Sequence, residues 1–75
     1  MSHRLPQLTG KQLVAGLQAL GFEILRVRGS HHFMRDQHGH TTIVPVHSKE
    51  TIGPGLLAKI LRDCEVTRDQ LREVL

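Results

Sequence analysis

The sequence is poor in aromatic side chains. Among its 75 residues there is no Trp and no Tyr, and its two Phe residues are Phe22 and Phe33. Proteins that hold single-stranded nucleic acid by base stacking need several such rings. If a nucleic acid is the partner, we therefore expect charge and backbone shape to supply most of the binding.

Cysteine and long apolar segments are also scarce. The one cysteine, Cys64, cannot form an internal disulfide, and it falls on the apolar side of a predicted helix. We interpret it as a small buried side chain rather than a reactive thiol. No run of about eighteen apolar residues occurs, so we expect no membrane-spanning segment. Residues 1–6 lack the apolar segment of a secretory signal, which predicts a cytoplasmic protein.

Basic residues outnumber acidic ones. Ten Lys and Arg against seven Asp and Glu give a formal net charge of +3, and there are six His in addition. This surplus favours an anionic partner. Structural zinc usually draws on paired Cys and His ligands, so a single Cys argues against it. We predict no metal and no cofactor, and a single small domain over residues 1–75.

The first half of the chain has the pattern of a helix followed by strands. Thr9 and Gln12 form the signature of a capping box, and apolar residues then repeat at helical spacing, which predicts a helix over 10–20. Lys11 lies in its first turn, where the helix dipole attracts anions, although a surface lysine more often only contacts water. Residues rich in β-formers predict strands over 22–28, 31–36 and 41–46. The turns between them fall at Gly29-Ser30 and at 37–40, where we expect His38 and His40 to be exposed.

The second half predicts two further helices. Pro54 suits the first position of a helix, and an apolar stripe follows it over 54–64, formed by Leu56, Leu57, Ile60, Leu61 and Cys64. Thr67 and Gln70 repeat the capping-box signature and begin a short final helix. The predicted fold is therefore α+β, in the order α-β-β-β-α with an extra C-terminal helix. A three-stranded antiparallel sheet with helices on one face is the layout of a double-stranded-RNA-binding domain.

The second strand presents alternating side chains to two faces. His31, Phe33 and Arg35 point one way, whereas His32 and Met34 point the other. If Met34 packs in the core, His31 faces solvent. Phe33 is an equally suitable core residue, so the sequence leaves both orientations open.

His31 is the candidate for chemistry. An imidazole takes up or releases a proton near neutral pH, and Arg28 and Arg35 lie close to it in sequence. Such a group among cations suits phosphodiester cleavage, in which a hydroxyl loses a proton while negative charge accumulates on phosphate oxygens. A histidine in a surface strand more often only contacts water, and the segment 29–34 alone favours that simpler interpretation.

Five sequence blocks together resemble the HicA family of small toxins. They are Thr9-Gly10-Lys11 at a helix start, Gly21-Phe22 at its end, Gly29-Ser30-His31-His32, Val44-Pro45-Val46-His47, and the segment 54–61 with Pro54, Gly55, Leu57, Ile60 and Leu61. The blocks occur in the order and spacing of the family, and the likeness covers the chain from about residue 8 to residue 71. Gly-Ser-His alone would be a weak signal.

The resemblance implies a fold like that of a double-stranded-RNA-binding domain and the activity of a ribosome-independent mRNA interferase. It also implies a place in a type II toxin–antitoxin system, with a HicB-type antitoxin that binds the toxin and blocks its active site. His31 occupies the position of the family's catalytic histidine. As general base or general acid, it would act in a metal-independent cleavage. The candidate RNA-binding residues are Lys11, Arg26, Arg28, Ser30, His32 and Arg35.

Two alternatives remain at this point. The same basic face could belong to a non-catalytic RNA-binding module, which would bind RNA in a salt-sensitive way without cutting it. It could also serve only to contact an acidic protein partner, which predicts no affinity for RNA at low salt.

Overall fold

The chain folds into the predicted order of helices and strands. The computed structural model describes residue 5 and residues 7–75. The elements are α1 (Gly10–Ala19), β1 (Glu23–Arg28), β2 (His31–Arg35), β3 (Thr41–Pro45), α2 (Pro54–Cys64) and α3 (Arg68–Val74). The bounds predicted for the first five elements differ from these by no more than one residue at either end.

The predicted lack of a secretory signal concerns residues 1–6, most of which lie outside the described residues. Within the described part of the chain, every helix is too short or too polar to cross a membrane.

Side chains cap the starts of α1 and α3. The Gln12 N–H donates to the Thr9 hydroxyl at 3.2 Å, and the Thr9 N–H donates to the Gln12 side chain at 2.9 Å. Thr67 and Gln70 form the same reciprocal pair at the start of α3. Both predicted capping boxes are therefore confirmed. The chain leaves α1 through Gly21, whose φ of 99° lies in the left-handed region that favours glycine.

The three strands form an antiparallel sheet in the order β1-β2-β3. The β1–β2 hairpin turns at Gly29, with φ 58°, and the β2–β3 hairpin turns at Gly39, with φ 88°. The register places Arg28 opposite His31, and His31 opposite Pro45. A bulge interrupts the β1–β2 register between Ile24 and Arg26. The architecture is α+β and compatible with the fold of a double-stranded-RNA-binding domain.

The structure resolves which face of β2 is buried. Met34 is 1% exposed and packs in the core, whereas Phe33 lies on the opposite face and is only partly buried. Because side chains alternate along a strand, His31 and Arg35 share the face of Phe33. This open face of the sheet, which the helices do not cover, is the surface available for chemistry.

The core lies between the sheet and the helices. It consists of Leu8, Leu13, Val14, Leu17, Phe22, Met34, Val44, Leu57, Ile60, Leu61, Cys64 and Leu71. Burial, helped by the charge of Asp63, raises the pKa of Cys64 to about 11. The thiol therefore stays protonated at neutral pH, and its interpretation as a buried apolar side chain is confirmed.

Leu56 was predicted in the core stripe of α2, and that prediction is wrong. It is 38% exposed. Leu56 lies in the first turn of α2 at the margin of the stripe, where it borders a shallow pocket beside Pro45 instead of packing under the sheet.

The last helix packs against the first. Leu71 is fully buried, and a Cβ atom added to Gly16 would lie 2.9 Å from its Cδ1 atom. The missing side chain at Gly16 therefore lets α3 approach α1 closely and complete the core.

Candidate active site

One end of the sheet brings together five polar residues from three segments of the sequence. At this end β1 turns into β2, β3 finishes, and α1 begins. We call the group the basic corner, and it consists of Lys11, Arg28, Ser30, His31 and His47.

His31 and Arg28 lie side by side on the open face. They are directly opposite each other in the β1–β2 register, and such cross-strand partners project to the same side of a sheet. Both side chains are exposed. A phosphate can therefore approach the imidazole and the guanidinium together from solvent.

Lys11 joins this group because α1 begins against the end of β3. A Cβ atom on Gly10 would overlap the carbonyl oxygen of Pro45 and lie 2.9 Å from the Cα atom of Val46. Only the absence of a side chain at residue 10 permits this approach. It places the exposed Lys11 beside the strand end that pairs with His31.

His47 reaches the basic corner from the other side. Its Nε2 atom lies 3.3 Å from the Ser30 hydroxyl, within hydrogen-bonding distance. The N–H of Val46 donates to the carbonyl oxygen of Ser30 at 2.7 Å, which holds the end of β3 against the turn. No role was predicted for His47 from the sequence. Its position directly after the third strand is the signal that could have indicated it, because the end of that strand pairs with His31.

Arg26 and Arg35 extend the positive charge along the open face and do not join the basic corner. The Arg26 guanidinium lies over the Phe33 ring, 4.6 Å from its centroid, in a cation–π contact. Arg35 lies opposite Glu23 and four residues beyond His31 on β2. At about 3.3 Å per residue, four residues separate the two Cα atoms by roughly 13 Å.

His32 lies on the other side of the sheet from His31. It pairs with Val27 and Val44, and its Nδ1 atom is buried without a hydrogen-bond partner among the residues that the structure describes. Its ring therefore lies on the helix side of the sheet and is partly buried there. The structure does not bring His32 together with the other candidate RNA-binding residues.

The prediction that His40 is an exposed loop residue is wrong, whereas His38 is exposed as predicted. The His40 ring lies 2.7 Å from the Asp36 carboxylate and 2.8 Å from that of Glu65. The hydrogen bonds with Asp36 and then Glu65 raise the pKa of His40. Burial by itself would raise the pKa of Asp36. Hydrogen bonds from the His40 ring and from the backbone N–H groups of His40 and His38 outweigh burial, so the Asp36 pKa is lowered. His40 thus fastens the β2–β3 turn to the end of α2.

The described residues contain no group of three or more His, Cys, Asp or Glu side chains arranged to hold a metal ion. The histidines of the basic corner and of the β2–β3 turn have different surroundings. In the basic corner Ser30 contacts His47, whereas at the turn the carboxylates of Asp36 and Glu65 contact His40.

Comparison with protein families identifies a relationship that covers most of the chain. The family model of the HicA toxin of bacterial toxin–antitoxin systems matches residues 10–66. The matched stretch contains α1, the whole sheet, α2 and every residue of the basic corner. No curated protein sequence matches the chain.

Proposed function

This chain belongs to the HicA toxin family of bacterial toxin–antitoxin systems, and on that premise we propose that it is an endoribonuclease that cleaves mRNA without a metal ion. The supporting observation is the placement of His31, which is exposed on the open face of the sheet directly opposite Arg28. An imidazole and a cation at one solvent-accessible point are the groups that cleavage of a phosphodiester requires.

The proposed reaction is an internal transesterification. The ribose 2′-oxygen attacks the adjacent phosphorus, its proton is removed, and the 5′-oxygen leaves with a proton. His31 acts as general base on the 2′-hydroxyl or as general acid on the leaving oxygen. Proton transfer by a positioned side chain contributes about 10²- to 10⁴-fold in rate, so its loss is enough to remove a toxic activity.

Positive charge would hold the RNA in place. Arg28 lies opposite His31, and Lys11 follows Gly10 at the strand end that pairs with His31. Both are candidates to bind the reacting phosphate, where they would also offset the negative charge that develops on its oxygens. Arg26 and Arg35 extend this charge along the strands for neighbouring phosphates. The Ser30 hydroxyl can donate a hydrogen bond to the RNA. His32 is not included, because its ring lies on the opposite side of the sheet.

A HicB-type antitoxin is the proposed regulatory partner. Because the basic corner and the open face are exposed, a protein that covers His31 would also cover the cations that hold RNA. Both partners and the mRNA would then meet in the cytoplasm. Co-expression with the product of the adjacent reading frame is expected to restore growth that the toxin alone inhibits.

The test is a cleavage assay with labelled RNA in EDTA. Wild type and His38→Ala, a control at another exposed histidine, are expected to cut the RNA. His31→Ala should cut at least about 10²-fold more slowly and keep the wild-type melting temperature, because the side chain is exposed. RNA that wild type binds but leaves intact would favour the non-catalytic RNA-binding module, and full activity of His31→Ala would refute the catalytic assignment.

A further inference from the structure

RNA cleavage by this route moves two protons. One leaves the 2′-hydroxyl and the other joins the departing 5′-oxygen, which lie on opposite sides of the phosphorus in an in-line displacement. A single imidazole serves one of these positions at a time. The proposed function therefore leaves one proton transfer without an assigned side chain, and the following inference rests on that function.

The structure supplies a second imidazole in the basic corner. His47 contacts Ser30, the residue immediately before His31, across 17 residues of sequence. Since Pro45 lies opposite His31, the end of β3 carries His47 past the β1–β2 turn on which Ser30 sits. Its side chain is exposed, and the Ser30 hydroxyl contacts its ring.

Space for substrate adjoins His47. A shallow pocket of about 120 Å³ opens beside His47, with Pro45, Glu50 and Leu56 among its walls. Pro45 is also the residue opposite His31 in the β2–β3 register, so one residue lines the pocket and pairs with the strand position of His31. A group of the RNA held at Pro45 would therefore lie close to the positions of both histidines.

We propose that His31 and His47 divide the two proton transfers of RNA cleavage. In the step, the bond between the 2′-oxygen and phosphorus forms and the bond between phosphorus and the 5′-oxygen breaks. One imidazole accepts the 2′-hydroxyl proton and becomes an imidazolium, while the other begins as an imidazolium and gives its proton to the 5′-oxygen. The products are a 2′,3′-cyclic phosphate and a 5′-hydroxyl, and no electron donor or acceptor is needed.

A purely structural role for His47 predicts different behaviour. His47→Gln keeps an amide that can hydrogen-bond the Ser30 hydroxyl but has no proton to exchange near neutral pH. If the ring only holds β3 against the turn, His47→Gln retains activity. If it transfers a proton, His47→Gln and His47→Ala are both slowed by about 10²- to 10⁴-fold in kcat, with melting temperatures unchanged.

The decisive experiment uses two versions of one RNA oligonucleotide. At the linkage that wild type cuts, one carries the natural 5′-oxygen and the other a bridging 5′-sulfur, whose thiolate leaves without being protonated. Wild type, His31→Ala, His47→Ala, His47→Gln and the control His38→Ala are assayed on both. We expect the variants of one of the two histidines to regain a near wild-type rate on the sulfur substrate, which identifies that histidine as the acid and the other as the base.

The outcomes separate this inference from the proposed function. The shared proton transfer would be overturned if His47→Gln kept wild-type activity on the natural RNA. It would also be overturned if the sulfur substrate restored the activity of the variants of neither histidine. Either result would leave the role of His31 in place. A wild-type protein that cuts no RNA would overturn the proposed function, and the inference with it. An active His31→Ala would refute the pairing of the two imidazoles.

Discussion

Gly10 lies against the carbonyl oxygen of Pro45, so that the first residue of α1 rests on the last residue of β3. Four of the five residues of the basic corner are close to this contact in the chain. Lys11 follows Gly10, and His47 lies two residues after Pro45. His31 is the residue paired with Pro45, and Ser30 precedes it. The contact therefore links the stability of the fold to the geometry of the candidate active site.

Gly10→Ala is expected to destabilise the protein by about 1–3 kcal/mol, because the new methyl group would overlap backbone that cannot rotate away. Chemical denaturation measures the loss, and the cleavage rate should fall with it as α1 shifts away from β3. Gly55→Ala is the matched control. It lies in the first turn of α2, and apart from its chain neighbours and its own helix backbone nothing lies within 4 Å of the added Cβ, so its stability should not fall. Equal stability of Gly10→Ala and wild type would contradict the close approach.

The two adjacent histidines of β2 should separate activity from stability. His31→Ala is expected to abolish growth inhibition in cells and leave thermal unfolding unchanged. His32→Ala removes a ring that is partly buried on the helix side of the sheet, so it should lower the free energy of unfolding by on the order of 1 kcal/mol and have the smaller effect on growth. Melting curves and growth after induced expression measure both. The reverse pattern would show that the faces of β2 are misassigned.

Arg28 should contribute to the salt dependence of RNA binding. Each phosphate contact adds about 0.7 to the slope of log affinity against log salt for a single strand. In a His31→Ala background, which binds without cutting, Arg28→Gln is expected to make that slope shallower by about this amount. Arg62→Gln removes an exposed arginine of α2 that borders α3 instead of the open face, and its slope should match the parent. If the slope of Arg28→Gln equals that of Arg62→Gln, a phosphate contact at Arg28 is excluded.

The contacts of His40 with Asp36 and Glu65 should make stability depend on pH. The pKa of His40 is raised above its ordinary value of 6.5, so its contribution is fully present below that pH and is lost as pH rises through the folded-state pKa. The Asp36 pKa is lowered from 3.8, so its contribution is present above that pH and is lost as pH falls through the folded-state pKa.

His40→Gln should therefore lower the melting temperature most between about pH 4 and 6.5, and progressively less above that window as wild type loses the charged pair. His31→Gln, at an exposed histidine at the other end of β2, is the control and should follow the wild-type profile. A difference between wild type and His40→Gln that stays constant to alkaline pH would show that the charge of the ring contributes nothing.

Local chemistry made most of the secondary structure predictable. Thr9 with Gln12 determines a helix start because both partners lie three residues apart in the chain, and Gly21 and Gly39 mark turns because positive φ values strain other residues. The orientation of β2 was not predictable in this way. Phe33 and Met34 are both apolar, and only the fit of Met34 beneath the helices decides between them.

The candidate site was predictable where it depends on neighbours in sequence and unpredictable where distant segments meet. His31 and Arg28 flank one short turn, so their proximity follows from the hairpin. The partner of His40, Glu65, is 25 residues away, and the partner of His47, Ser30, is 17 residues away. The spacing of apolar residues and the identity of turn residues specify helices and strands. They carry no information on which distant loops will contact each other.

The packing of α3 on α1 has a consequence for the order in which the fold can be completed. Leu71 fills the space beside Gly16, so the first helix cannot finish burying its apolar side until α3 has been synthesised. The end of β3, which pairs with His31 and precedes His47, rests on that same first helix through Gly10. A nascent chain that still lacks α3 would thus carry every residue of the basic corner on an incomplete scaffold.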